Sequence, residues 1–128
     1  MSEIVSDIAT YLQEQGIGTI GTDIFKSYLP DTADAVIAIL DTGGVEPDID
    51  LPTKSPTFQI FIRAATYSAG KATLDSIRSA LHQKSNTNLN VTGGNYYYYI
   101  FEISEGGHLG RNDKGLDEFS VNFRCLIR

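Results

Sequence analysis

Few side chains in this sequence of 128 residues have the types and spacing that chemistry requires. Glu46, Asp48 and Asp50 place three carboxylates at alternate positions, an arrangement that could ligate calcium. The segment lacks the glycine and the distal bidentate acid of an EF-hand loop. Pro47 and Pro52 stiffen it, so we interpret it as a solvated loop and predict no metal site.

A histidine near the end of the chain is the other candidate for chemistry. His108 and Asp113 could act as an acid–base pair, but no candidate nucleophile stands near them in sequence. The second histidine, His82, is distant in sequence and does not complete a metal-ligand spacing. The single cysteine, Cys125, excludes an intrachain disulfide and any metal site with two thiolates. We therefore predict no catalytic residue and no cofactor, and we expect that the protein is not an enzyme.

Three glycines have the spacing of a dinucleotide-binding loop, namely Gly16, Gly18 and Gly21. Such a loop follows a strand and opens a helix. Here the glycines follow a predicted helix and do not open a new one. They indicate the end of a helix and a turn.

The bulk composition narrows the class of protein. A chain of this length is expected to form a single domain over residues 1–128. Its net charge of −6 argues against a protein that binds the phosphates of nucleic acid, because such binding requires clustered Lys and Arg. The first residues do not have the pattern of a signal peptide, and no apolar stretch is long enough for a membrane span. We expect a soluble protein made in a cytoplasm.

The apolar periodicity predicts two main helices and five strands. The first helix starts near Ser2 and ends at Gly16; the second runs over residues 69–84 and is capped by Ser68. The strands are expected at residues 19–28, 34–41, 57–65, 95–104 and 116–128, with loops at 42–55, 85–94 and 106–115. The first of these is a short strand or an extended piece, and the alanines in 34–41 would also fit a short helix. The order α-β-β-β-α-β-β predicts an α+β fold, a mostly antiparallel sheet with helices packed on it.

Two strands carry the strongest patterns. In the last one, odd positions from Phe119 to Ile127 are apolar and even positions are mixed, so Cys125 is predicted to lie in the core. The run Tyr96 to Tyr99 would place Tyr97 and Tyr99 on one face of its strand, with Phe101 and Ile103. Tyr96, Tyr98 and Ile100 would share the other face. That second face either contacts a partner, for which tyrosine is well suited, or is buried within the fold. Stacking on single-stranded nucleic acid is a third option that the acidic composition disfavours.

Several segments together resemble the phage minor capsid or tail terminator family. The resemblance rests on Leu29-Pro30 ahead of the second strand, on the segment PTFQIFIR at residues 56–63 followed by Tyr67 and a helix ending at Leu81-His82, and on LGRNDKG at residues 109–115 before the final strand. The last segment is similar to the family's LGRDxxGR loop. It departs from that pattern at Asn112, where an acid is expected, and at Leu116, where a basic residue is expected.

The resemblance implies a structural role in the virion of a long-tailed phage. The resemblance implies that copies of the chain, usually six, form a ring at the head-proximal end of a non-contractile tail. Such a ring stops tail-tube polymerisation and docks the head-completion (stopper) protein, while DNA only passes through its channel. The implied partners are therefore further copies of the chain, the tail tube protein and the stopper protein, with no membrane. Residues expected at contacts are Arg63, Tyr96, Tyr98, Arg111, Asp113 and Lys114.

Other functions stay open at the level of sequence. A head-completion or connector protein is similar in size and also forms rings. A small enzyme or ligand-binding domain would use the His108 loop or the acids around Asp48. A stand-alone α+β protein without an assembly role is the third alternative.

Overall fold

The computed structural model describes residues 4–26, 35–44, 55–82, 84–87, 97–111 and 115–127. Within these ranges the chain forms two helices, α1 (Ile4–Glu14) and α2 (Tyr67–Leu81), and six strands: β1 (Ile24–Lys26), β2 (Val36–Gly44), β3 (Pro56–Ala64), β4 (Lys84–Thr87), β5 (Tyr97–Arg111) and β6 (Asp117–Ile127). Neither helix is long and apolar enough to cross a membrane. The α+β prediction is confirmed.

All six strands belong to one sheet with the order β1-β2-β3-β6-β5-β4. Every neighbouring pair is antiparallel except β1 and β2, which run parallel. The predicted mostly antiparallel sheet is therefore confirmed. The acids around Asp48 and the segment with Leu29-Pro30 lie outside the described residues.

Both helices pack on the same face of the sheet. In β6 the side chains at odd positions are buried and those at even positions are only half-buried, as the alternation predicts. Phe119 and Cys125 belong to the same apolar cluster as Ile8 of α1 and Leu74 of α2. The Tyr11 hydroxyl of α1 donates a hydrogen bond to a carbonyl oxygen of α2, with an O–O distance of 3.2 Å. One core thus lies between the two helices and one side of the sheet.

Helix α2 begins two residues earlier than its sequence pattern predicts. The predicted cap, Ser68, is wrong: Thr66 has extended backbone angles, and its hydroxyl accepts a hydrogen bond from the Ala69 amide at 3.2 Å. Two residues that can cap a helix stand close together here, and the choice between them depends on where β3 ends. The helix also stops at Leu81 rather than at residue 84.

All three predicted loops contain strand. Strand β2 continues to Gly44, inside the segment 42–55 that was expected to be a loop, because its backbone goes on pairing with β3. The segment 85–94 was expected to be a turn, yet Lys84–Thr87 forms β4 against β5. Its polar sequence has no apolar alternation, and it becomes a strand because a neighbour offers backbone partners. The predicted loop from residue 106 is also wrong, because β5 continues to Arg111. Register shifts on both sides of Ser104 and beyond His108 let the glycines stay in the strand as bulges.

A glycine sets the distance between α2 and β6. A Cβ atom on Gly70 would overlap the ring of Phe119, which is fully buried. The missing side chain therefore lets the start of α2 lie directly on this ring.

Burial makes Cys125 a pH-dependent contributor to stability. Its thiol lies in the core, 3.7 Å from the Pro56 carbonyl oxygen. Burial raises the pKa of the Cys125 thiol from 9.0 to about 12, and the Asp7 carboxylate adds to the rise. A pKa raised in the folded state gives stability that is complete below pH 9 and is lost as pH rises toward 12.

We expect a measurable consequence of this shift between pH 9 and pH 11. The free energy of unfolding should fall more steeply in the wild type than in Cys125→Ala, by up to about 1.4 kcal/mol per pH unit. Urea titrations at several pH values measure both slopes, and the alanine variant controls for the other groups that titrate in this range. Parallel slopes would contradict the buried thiol.

Candidate subunit interface

The outer edge of β5 is paired along only part of its length. Strand β4 covers β5 from Tyr97 to Ile100, and the Glu102 amide then donates to the Nδ1 atom of His82 at 3.1 Å. Beyond that point no described strand pairs with the outer side of residues 103–111, which we name the open β5 edge. Its inner side pairs with β6 as far as Arg111. The row of backbone amides and carbonyls on the outer side is a template for another strand.

The exposed large apolar side chains of the described residues gather at this edge. They are Ile103 and Leu109 on β5 and Tyr67 at the first position of α2. Tyr67 belongs to the same place because its ring lies edge-on to His108 of β5, with centroids 5.1 Å apart. Apolar side chains exposed together beside an open strand edge are typical of a protein contact.

The buried carboxylate of Asp117 contacts two basic side chains at the end of the open β5 edge. Asp117 is 2% exposed, and its Oδ1 atom lies 2.9 Å from Nε2 of His108 and 3.5 Å from Nε of Arg111. Its other oxygen is buried and has no hydrogen-bond partner within the described part of the chain. The guanidinium of Arg111 is mostly exposed. The cluster therefore ties β5 to β6 and presents a cation at the surface.

The sequence offered Asp113 as a possible partner of His108, within an acid–base pair that it did not otherwise support. The suggested Asp113 lies outside the described residues, as does Lys114, and the structure places Asp117 next to the imidazole. Asp117 occupies an odd position of the β6 pattern, so an acid on the inward face was a signal that could have revealed it. Among the described residues, no group of three or more His, Cys, Asp or Glu side chains could hold a metal ion.

Arg63 lies within the sheet rather than at its edge. Its side chain is nearly buried, and its Nε atom is 3.4 Å from the Glu118 carboxylate on the neighbouring strand. Its guanidinium also lies 6.0 Å from the centre of the Phe61 ring, on the face of the sheet opposite the helices. The sequence did not indicate Glu118 as its partner.

The tyrosine strand departs from the predicted alternation. A register shift between Tyr97 and Tyr99 inserts one residue, so Tyr97 and Ile100 both face the helices and are fully buried. The prediction that Tyr97 and Tyr99 share a face is therefore wrong, because a bulge changes the phase of a strand. Tyr98 is half-buried at the bulge, and Tyr96 lies outside the described residues.

The face of the sheet opposite α1 and α2 carries a half-buried apolar surface among the described residues, which we name the open face. The register places on it Phe25, Leu40, Phe61, Tyr99, Phe101 and Leu126. The rings of Tyr99 and Phe101 are 5.1 Å apart. Arg124 lies among these residues, and its buried Nε atom has no hydrogen-bond partner in the described structure. The open face thus combines aromatic area with a cation, a composition found at protein contacts.

Comparison with known families identifies the class of protein. The sequence model of the bacteriophage tail terminator protein matches residues 11–128. The chain therefore belongs to the bacteriophage tail terminator protein family, as its sequence motifs predict, and it is a structural protein of the phage tail.

A comparison with solved structures supports the fold. A chain of the structure described as "Virion of native gene transfer agent (GTA) particle" is similar with a TM-score of 0.66. The match covers 98% of both chains at 14% sequence identity. At that identity the similarity concerns the fold alone. No curated protein matches the sequence significantly.

Proposed function

We propose that the chain forms a closed ring of six copies at the head-proximal end of a long phage tail. The ring stops polymerisation of the tail tube and offers its opposite side to the head-completion (stopper) protein. DNA passes through the central hole without being held. The observation that carries this proposal is the match of a tail terminator family over residues 11–128.

The distribution of surfaces supports an assembly role. The open β5 edge and the open face lie at different places on the molecule, so a copy can contact a ring neighbour and other tail proteins at once. Within the ring, each contact between neighbouring copies is heterologous, which means that two unlike surfaces of the same chain meet. The net charge of −6 suits a channel, because a surface rich in cations would retain the DNA phosphates.

Of the six contact residues expected from sequence, Arg63, Tyr98 and Arg111 lie within the described part of the chain. Arg111 at the end of the open β5 edge is the best placed for a neighbouring subunit, because its guanidinium is exposed. Arg63 forms an ion pair with Glu118 of its own subunit, so it would contribute to a contact by fixing the shape of the open face. Tyr98 is half-buried at the bulge of β5, and its exposed part would contribute to the contact. Tyr96, Asp113 and Lys114 belong to the same proposal, although they lie outside the described residues.

A reconstituted system tests the proposal directly. Purified protein is added to tail tube protein that is polymerising from an initiator complex, and tube lengths are measured by negative-stain electron microscopy. We expect growth to stop on addition, with a ring visible at the growing end of each tube. Tubes that keep growing at saturating protein would overturn the proposal.

Reversing the charge of Arg111 should impair the ring more than the fold. Arg111→Glu replaces the cation that lies 3.5 Å from the buried Asp117 carboxylate by a second anion, which also lowers folding stability. The urea midpoint of the variant is therefore measured beside its capping activity, so that a loss of folding and a loss of the contact are told apart. At the subunit contact, the new carboxylate would repel the acidic groups that Arg111 faces on the neighbouring copy. We therefore expect at least a tenfold loss of tube-capping activity.

The control variant is Lys71→Glu, which makes the same change in net charge on the exposed side of α2. Equal capping by both variants and the wild type would show that Arg111 is not at the contact. Equal loss in both would show that only net charge matters.

A further inference from the structure

The contacts of Glu102 show which backbone groups of β5 point outward. Its amide donates outward to His82, whereas its side chain lies on the helix side of the sheet and pairs with an arginine of α2. His108 and Arg111 lie on the same side, because each is aligned with an inward-facing residue of β6. Strand residues whose side chains share a face direct their amides and carbonyls to the same edge. The backbone groups of His108 and Arg111 therefore also point outward, to where an added strand would lie.

One segment of the sequence has the pattern of such a strand. Between Val45 and Leu51 the odd positions are apolar, and the even positions are Glu46, Asp48 and Asp50. This period of two predicts an extended segment with one apolar face and one acidic face. The segment follows β2 directly and lies outside the described residues.

A proline in the segment selects the positions that can bond to a partner strand. Pro47 has no N–H, so a strand that contains it must direct its odd positions away from the partner. The even positions, which carry the acids, then donate and accept across the pairing. In an antiparallel pair, residues that bond directly to each other have their side chains on the same face. Antiparallel pairing with β5 therefore turns the acids toward the face of His108 and Arg111.

One register meets all of these conditions. It pairs three positions of the segment with three of β5: Glu46 with Arg111, Asp48 with His108, and Pro52 with Glu102. The spacings agree, because the three β5 residues are aligned with positions 117, 119 and 123 of β6. Pro52 then lies where the edge closes, since the Glu102 amide already donates to His82. Both acids meet a basic side chain, and the Arg111 guanidinium is mostly exposed.

The other face of the open β5 edge has room for the apolar side chains of the segment. There the register places Gly107 and Gly110, and a Cβ atom on either glycine would meet nothing within 4 Å. Ile49 would lie beside Gly107, where a strand glycine leaves space for a close neighbour. The added strand would also cover part of Ile103 and Leu109, the exposed apolar side chains of the edge.

The added strand must come from another copy of the chain. Glu46 is two residues beyond Gly44, so it lies within about 7 Å of the end of β2. Three strand spacings, roughly 14 Å, separate β2 from β5, and Gly44 and Arg111 lie at opposite ends of their strands. The segment can still return to β3 of its own copy, because the steps from Asp50 to Pro56 span up to about 20 Å.

We propose that residues 46–50 of one subunit add as an antiparallel strand to the open β5 edge of the next subunit in the ring. The acids of the added strand face Arg111 and His108, and its apolar side chains lie over Gly107. Main-chain hydrogen bonds supply affinity in such a strand addition, and the side chains supply specificity. The inference rests on the proposed ring and defines the contact between its neighbours.

A disulfide between Ile49→Cys and Gly107→Cys tests the pairing. In the proposed register the two Cα atoms lie side by side at about 4.5 Å, a distance that a disulfide spans. Cys125 is buried and adds no reactive thiol. The double variant is assembled on tail tubes, oxidised and separated on a non-reducing gel. We expect a ladder of linked chains that ends at the copy number of the ring, with a yield at least tenfold above that of either single variant.

The matched control is Asp50→Cys with Gly107→Cys, which moves one thiol by a single residue to the acidic face of the segment. Its ladder should be at least tenfold weaker, and equal yields would show random collision and contradict the register. Mixing the two single variants, Ile49→Cys and Gly107→Cys, should give linked dimers and nothing longer, because each chain then carries one reactive position.

The remaining outcomes separate this contact from the proposed function. Rings that are visible by microscopy but give no ladder contradict the strand addition, leave the open β5 edge to another tail protein, and leave the proposed function intact. Dimers from Gly107→Cys alone mean a two-fold β5–β5 contact and exclude the pairing. If capped tubes carry no ring, the proposed function and this inference both fail.

Discussion

Replacing Phe119 by alanine should lower the free energy of unfolding by about 3–5 kcal/mol. The ring is fully buried where three elements meet: its centroid lies 5.5 Å from that of Tyr67 on α2 and 4.9 Å from that of His108 on β5. Its removal leaves a cavity beneath α2 that rigid neighbours cannot fill. Urea denaturation of the purified variant measures the loss. Phe101→Ala, which removes the same side chain from the half-buried open face, should cost clearly less.

A second substitution tests whether the close contact is the cause. Gly70→Ala should destabilise the wild type by about 1–3 kcal/mol, because its methyl group overlaps the Phe119 ring. In the Phe119→Ala background the same change should be neutral or stabilising by up to about 1 kcal/mol, since alanine favours helix more than glycine does. Additive effects would show that the two residues do not touch.

Removing one hydroxyl from the core should have the next largest effect. The Tyr97 hydroxyl donates to Oδ2 of Asp7 at 2.8 Å, and both side chains are buried. A hydrogen bond to a charged group contributes about 1.5–3 kcal/mol, and Tyr97→Phe should cost this much. The measurement is the urea midpoint of the variant. Tyr99→Phe, on the open face, should cost less than about 0.5 kcal/mol, and equal losses would contradict the assignment of the two tyrosines to different faces.

The sequence is sufficient to predict those helices and strands whose apolar residues recur with a regular period. Helix α1, strand β3 and strand β6 follow from repeated apolar spacing, and the buried position of Cys125 follows from the same alternation. Strand β4 does not, because it is polar and depends on pairing with β5, which is separated from it in sequence. The continuation of β5 past Gly106 and Gly107 also depends on pairing with β6, which no local pattern reveals.

The contact surface was predictable only in part. Arg111 follows from the resemblance of its loop to the family motif, and the structure places it at an exposed edge. The bulge at Tyr98 could not be predicted, since a single inserted residue leaves no mark in a run of tyrosines. The buried acid at Asp117 breaks an apolar alternation and was visible as an exception. The partner of Arg63 depends on strand register, which requires the fold.

The length of tails in lysates of a phage lacking this gene tests the central claim most directly. Without the terminator nothing stops the tube, so we expect electron micrographs to show overlong tails without heads, beside heads filled with DNA. Supplying the wild-type gene in trans should restore normal tails and infectious particles. Tails of normal length beside empty or leaking heads would contradict a role at the tail and indicate one at the head. Intact virions would contradict any role in joining the two.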